Sequence, residues 1–188
     1  MTSQHQDQPA QADIAQREAM RLAAKRIDRV NSWLHVGGAI PPEQYERFVE
    51  AGVTHLVDLR EEDDADSVRL KGLGISRRHV PVPDRGAPTV DQLLEVRAWF
   101  VAREDAGQIY VHCGGGFGRA ATMAVGMLVL DGQSVDEAVH EVQRVRPEIR
   151  INEAQSSWLR TVEQQRPSIS ITPASGGNHP GTPPSQRS

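Results

Sequence analysis

The sequence predicts an α/β domain: a central, mostly parallel sheet of about four to five strands flanked by helices. Three observations carry this. Short β-branched runs alternate with helical patterns from about residue 27 to 165. One helix pattern, Arg119 to Leu130, has no polar face and is expected to be buried against a sheet. The chain of 188 residues is long enough for one core and short for two.

In chain order, Met1 to Ala10 is rich in Gln, Asp and Pro without periodicity, so the first dozen residues read as unstructured. Ile14 to Val30 reads as a lead-in helix, which makes residues 1–26 a flexible N-terminal segment ahead of the domain at 27–165. Trp33 to Val36 is a short strand, and Pro42 opens a helix that stops at Gly52. His55 to Leu59 is the second strand, followed by the acidic run Glu61 to Asp66 and a short helix to Lys71. Ile75 to Val80 is the third. Thr89 with Gln92 forms a capping box for a helix to about Ala106, with Leu93, Val96, Trp99 and Phe100 on one face. Ile109 to His112 is the fourth strand and feeds the apolar helix at Arg119. Ser134 with Glu137, and Asn152 with Gln155, cap the last two helices. Residues 166–188 collect Pro, Gly, Ser and Thr and read as a disordered tail.

Composition excludes several classes. A net charge of −4 with no basic block gives no footprint for nucleic acid or an anionic membrane. No apolar run approaches the ~18 residues of a membrane span, and the N-terminus lacks the layout of a signal peptide, so a cytoplasmic location is expected. The arginine-dominated basic residues, with only Lys25 and Lys71 as lysines, are a compositional hint of a bacterial source. A single cysteine forms no intramolecular disulfide and suits a reducing compartment.

That cysteine lies in Val-His-Cys-Gly-Gly-Gly-Phe-Gly-Arg-Ala, residues 111–120, at the C-terminal end of a strand, where α/β proteins place ligands. A lone Cys is commonly a core residue. Here a glycine-rich turn feeds a helix N-terminus, which presents backbone N–H groups and positive potential to an anion and favours thiolate over thiol. Arg119 adds a planar fork that grips two phosphoryl oxygens. A phosphate ester seated there presents phosphorus to Cys113, with the amides of Gly114, Gly115, Gly116, Phe117, Gly118 and Arg119 around its oxygens. The acid required for the leaving oxygen has a candidate in Asp84, in the loop His-Val-Pro-Val-Pro-Asp-Arg-Gly-Ala-Pro-Thr; a plain turn residue is the competing reading.

Other assignments fit less well. Gly116-Phe-Gly118-Arg-Ala-Ala121 matches a dinucleotide fingerprint, but the following strand with its acidic end is missing. A Walker loop lacks its Gly-Lys-Ser/Thr. Zinc lacks ligands beyond His112 and Cys113. No metal and no cofactor are therefore expected.

The signature His-Cys-x5-Arg, with the Asp loop preceding it, resembles the protein tyrosine phosphatase superfamily, in its cysteine-based dual-specificity branch. The similarity extends over about residues 27 to 164, including Trp-Leu-His-Val-Gly-Gly-Ala-Ile, Leu-Val-Asp-Leu-Arg-Glu-Glu and Val-Gln-Arg-Val-Arg-Pro-Glu-Ile. The resemblance implies a protein-tyrosine-phosphatase-like fold and metal-independent hydrolysis through a phosphocysteine intermediate. Cys113 would be the nucleophile, Arg119 the phosphate clamp, Asp84 the general acid and then base, and His112 the residue orienting the loop. Gln155 falls where some relatives position water, although capping already explains it. Ala120 departs from the usual Ser or Thr after the arginine, a feature shared with the phosphatases of regenerating liver, and implies slow breakdown of the intermediate. Without a lysine in the loop, and with the acidic run expected near the mouth, the expected partner is a phosphorylated protein carrying phosphotyrosine, with phosphoserine or phosphothreonine as further substrates. A phosphate-recognition module with little turnover is the alternative reading. Oligomeric state is not legible.

Overall fold

The computed structural model describes residues 7–102 and 107–166, with side chains from residue 13 onward. Its elements are α1 (Asp7–Ala24), β1 (Ile27–Arg29), β2 (Leu34–Gly38), α2 (Glu46–Glu50), β3 (Val53–Asp58), α3 (Ser67–Gly72), β4 (Ser76–His79), α4 (Val90–Val101), β5 (Gln108–Cys113), α5 (Arg119–Leu130), α6 (Val135–Val145) and α7 (Glu153–Gln165). The five strands form one sheet in the order β1-β2-β5-β3-β4, parallel except for β1. This is the expected mostly parallel sheet.

Period-2 alternation along β5 divides the core. Ile109, Val111 and Cys113 face a large cluster with α5, α4, α6 and α7, whereas Tyr110 faces a smaller cluster with Phe48, Leu56 and Leu70 on the side of α2 and α3. Ten residues of α5 from Ala120 to Val129 are almost wholly buried, consistent with the absent polar face. All three capping boxes form: Thr89 with Gln92, Ser134 with Glu137, and Asn152 with Gln155.

Several expected boundaries move. The lead-in helix begins at Asp7, inside the stretch read as unstructured, and stops at Ala24 rather than Val30. Ile27 to Arg29 instead pair antiparallel with His35 to Gly37, because the open edge of β2 offers backbone partners that a helical periodicity does not reveal. The segment from Pro42 splits into a 3-10 turn, Pro42–Gln44, and α2. The C-terminal tail lies outside the described residues apart from Arg166, whose guanidinium donates to Gln133 O at 2.6 Å.

Two charged clusters tie this frame to the end of β5. Arg146, just past α6, is wholly buried. It donates to Gly116 O (2.8 Å), Gly115 O (2.7 Å), Asp28 (2.7 Å) and Ala23 O (3.1 Å), joining α1, β1 and the loop after β5. On the opposite face, Asp58 is opposite His112 in the β3–β5 register. Its carboxylate accepts from Arg60 Nε (3.0 Å), Arg60 Nη2 (2.9 Å) and Arg77 Nη2 (3.0 Å). Burial alone would push the Asp58 carboxyl up, but Arg60, His112 and Arg77 outweigh it and hold it at about 2. Burial pushes the His112 imidazole down to about 4 against the pull of Asp58, 3.7 Å away.

Two outcomes are expected. Arg146→Ala leaves two loop carbonyls and part of Asp28 without their donor, and lowers stability in urea unfolding by about 3–5 kcal/mol; Arg146→Lys, lacking the planar fork, recovers only part of it. In acid, both perturbed groups act in one direction. The unfolded chain protonates His112 near 6.5 while the native state resists until about 4, and it protonates Asp58 near 3.8 while the native state resists until about 2. Stability is therefore fullest above pH 6.5 and falls on acidification through these windows. A pH series of urea midpoints will show a shallower decline between 6.5 and 4 in His112→Gln than in the native chain.

Candidate active site

β5 ends at Cys113 in the middle of the sheet, and the chain then turns through residues 114–118 into α5. The loop's conformation follows from where its carbonyls go. Gly114 O accepts from Ala39 N (3.0 Å), and Arg146 takes Gly115 O and Gly116 O. Phe117 O accepts from Arg150 N (2.8 Å), and Gly118 O from Thr122 N (2.8 Å) and Thr122 Oγ1 (3.0 Å). With five successive carbonyls engaged by their surroundings, the N–H groups are left for the loop's concave side. Gly116 N donates to Cys113 Sγ at 3.3 Å. Gly118, the residue before α5, offers no side-chain cap, so the helix end stays open to an anion.

Two glycines are required by geometry. Gly116 has φ +76, and a Cβ there would come within 2.6 Å of Gly38 N. A Cβ on Gly38 would come within 2.7 Å of Gly114 O, so the glycine pair ending β2 lets the loop settle against it. Gly114 has open space where its Cβ would stand, so sterics do not require glycine at that position.

The second loop crosses above. Gly86 N donates to Pro83 O (2.8 Å), closing a turn with Asp84 and Arg85 at its centre. Arg85 takes φ +60, an unusual value for a side-chain-bearing residue. The turn is held from α7: Asn152 Nδ2 donates to Arg85 O (2.8 Å) and Gln155 Nε2 to Gly86 O (2.8 Å). Arg119 reaches under this loop, donating to Val82 O (2.9 Å), with Nη2 3.3 Å from Asp84 Oδ1. The Asp84 side chain is 75% exposed against 11% for Arg119, so the carboxylate stands at the mouth and the guanidinium within.

A cavity of about 400 Å³ brings together Asp84, Cys113, Gly115, Phe117, Gly118 and Arg119. Arg85, Arg150, Asn152 and Gln155 complete its wall. His112 is elsewhere: its ring stacks on Tyr110 and faces Asp58, across the sheet from the thiol, and reaches the loop only through Cys113 O, 3.4 Å from Nδ1. None of the acidic run lines this cavity. Asp64 pairs with Arg60 (2.6 Å), Asp63 with Arg77 (2.7 Å), and Asp66 caps α3. Among the described residues no group of His, Cys, Asp and Glu could hold a metal ion.

Sequence reasoning missed Asn152 and Arg146 as anchors and Arg85 and Arg150 as cavity residues. Asn152 carried a signal as a helix cap. Arg146 sat in the quoted Arg-Pro turn, but burial of a guanidinium is set by partners far away in sequence.

Chemically, the arrangement offers a sulfur nucleophile at the base of a ring of amide donors, a guanidinium beside them, and a carboxylate where a leaving group would depart. The comparisons agree. In fold, PTPMT1 superposes with TM-score 0.70 at 22% identity, over 76% of this chain and 97% of that one. Tk-PTP in its active form gives TM-score 0.68 at 28% identity, over 74% and 97%. In sequence, the human phosphatidylglycerophosphatase and protein-tyrosine phosphatase 1 is 28% identical over 138 residues, 68% of this chain and 69% of that protein. Residues 36–133 match the family described as "Polymorphic toxin system, DSP-PTPase phosphatase". With the cysteine loop, the Asp loop and half of its length inside that match, the chain belongs to this family of cysteine-based, dual-specificity-like phosphatases.

Proposed function

We propose that the protein hydrolyses phosphate monoesters through a phosphocysteine formed on Cys113, with phosphotyrosine in a protein as the substrate. The observation that carries this reading is the set of loop carbonyls bound to their surroundings, with Gly116 N donating to Cys113 Sγ at 3.3 Å, in one cavity with Arg119 and Asp84.

In the first step the Cys113 thiolate attacks phosphorus. The P–O bond to the leaving group breaks as Asp84 gives that oxygen its proton, while Arg119 and the loop amides hold the equatorial oxygens. In the second step the Asp84 carboxylate takes a proton from water, the water oxygen bonds to phosphorus, and the S–P bond breaks to return thiolate and inorganic phosphate. Gln155, 1% exposed in the cavity wall, keeps the Asp84 loop in place by its bond to Gly86 O. Ala120 is wholly buried in the cluster that contains Cys113 and brings no hydroxyl to assist sulfur as a leaving group.

A protein substrate is supported over a bilayer one by the surface around the mouth. Among the described residues, none of the exposed large apolar side chains, Ile14, Leu22, Val49, Val68 and Val101, lines the cavity. An enzyme working on embedded lipid gains from such an apron.

With para-nitrophenyl phosphate and no metal, Cys113→Ser will abolish turnover while phosphate binding persists, and Asp84→Asn will lower kcat about a hundredfold or more. Equal hydrolysis by native protein and Cys113→Ser would refute the mechanism; no hydrolysis by either, on this ester or a phosphotyrosine peptide, would leave a phosphate-recognition module. In rapid mixing, the native protein will show a stoichiometric burst. Ala120→Ser, restoring a hydrogen bond to sulfur of about 1.5–3 kcal/mol, will speed the second step roughly ten- to hundredfold. An unchanged steady rate in that variant would contradict slow dephosphorylation of Cys113.

A further inference from the structure

The cavity wall carries three guanidinium groups and one carboxylate: Arg85, Arg119 and Arg150 against Asp84. Arg119 and Asp84 are accounted for by the chemistry and by each other. Arg85 and Arg150 are not, and among the described residues neither side chain has a hydrogen-bond or ion-pair partner. The contrast with Arg60, Arg77 and Arg146, each bound to a carboxylate, is informative. The two bare groups also have fixed roots. Arg150 N is pinned to Phe117 O (2.8 Å), on the Cys113 loop itself. Arg85 is held at φ +60 through Asn152 (2.8 Å), so an uncommon backbone state is maintained at this position. Two cations anchored this way, beside a phosphate already served by Arg119, have the chemistry of a site for a second anion.

The surroundings indicate what carries that anion. A further cavity of about 560 Å³ between α6 and α7 shares Arg150 with the active-site cavity, and Val139, Ile149, Ile151 and Leu159 contribute to its floor. A chain leaving the active site past Arg150 therefore runs onto a surface that accommodates side chains, which a compact headgroup would not use. Resting on the phosphotyrosine reading above, we propose that Arg85 and Arg150 select phosphopeptides with an acidic side chain next to the phosphorylated residue.

The test compares two synthetic phosphotyrosine peptides that differ only in glutamate or glutamine flanking the phosphotyrosine. For the native protein, kcat/KM is expected to be about tenfold higher for the glutamate peptide, and the ratio to shrink with added salt. In Arg85→Gln/Arg150→Gln the ratio falls toward one, with each single variant between. Equal kcat/KM for the two peptides in the native protein, or a preference that survives the double substitution, overturns the proposal. So does preferential hydrolysis of a soluble phosphoinositide headgroup over both peptides, if that preference is lost in the double variant, because the arginines would then serve a polyphosphate. A para-nitrophenyl phosphate control separates the two levels. If the native protein hydrolyses this ester through Cys113 without discriminating the peptides, only the acidic-flank assignment fails; if that ester is not hydrolysed either, the Cys113 mechanism fails.

Discussion

The site depends on one constraint: every carbonyl from Gly114 to Gly118 must be satisfied away from the thiol. Unpaired carbonyls inside the loop would repel an anion, and unpaired carbonyls in the core would each cost about 1–3 kcal/mol. Arg146 meets two of these demands with one planar group, and it meets them only because Asp28 and Ala23 O hold the remainder of its fork. The edge strand β1 and the end of α1 thus belong to the site although neither lines the cavity. Phe117, whose ring lies 5.0 Å from the Arg146 guanidinium, extends the same support to the cavity wall.

A second support comes from α7. Asn152 and Gln155 use their capping box to start the helix, and their remaining donors hold the turn that carries Asp84. One pair of side chains both begins a secondary-structure element and sets the height of a carboxylate over the thiol. The loop at Cys113 and the loop at Asp84 are therefore fixed from the two ends of the connection between α6 and α7, Arg146 and Asn152. Arg119 bridges them by its contacts with Val82 O and Asp84.

The charge distribution separates two uses of arginine. Around Asp58 the guanidinium groups of Arg60 and Arg77 are consumed by carboxylates, and that cluster keeps the ends of β3, β4 and β5 together beneath the site. Of the acidic run read in the sequence as a field at the mouth, Asp63 and Asp64 pair with these same arginines, and none of its residues lines the cavity. At the cavity the balance is reversed, with cations in excess. The field an anion meets at the mouth is set by this local excess and not by the net charge of −4.

The sequence by itself determined the parallel sheet, the buried α5, the three capping boxes and the candidate residues Cys113, Arg119 and Asp84. Most are written in local terms: periodicity, a cap three residues from its partner, or a nucleophile and clamp on one loop; Asp84 is legible only as the acid of a Pro-Asp turn earlier in the chain. The strand at Ile27–Arg29, the burial of Arg146, the facing of His112 toward Asp58 and the withdrawal of the acidic run were decided by the tertiary structure. Their partners lie anywhere from the neighbouring strand, as for Arg29 with His35, to 118 residues away, as for Arg146 with Asp28, and no local pattern encodes which of many similar backbone edges or charges will meet. A backbone edge or a buried carboxylate acquires its partner only when the sheet and helices have closed around it, since the cost of leaving it unpaired arises only in the assembled core.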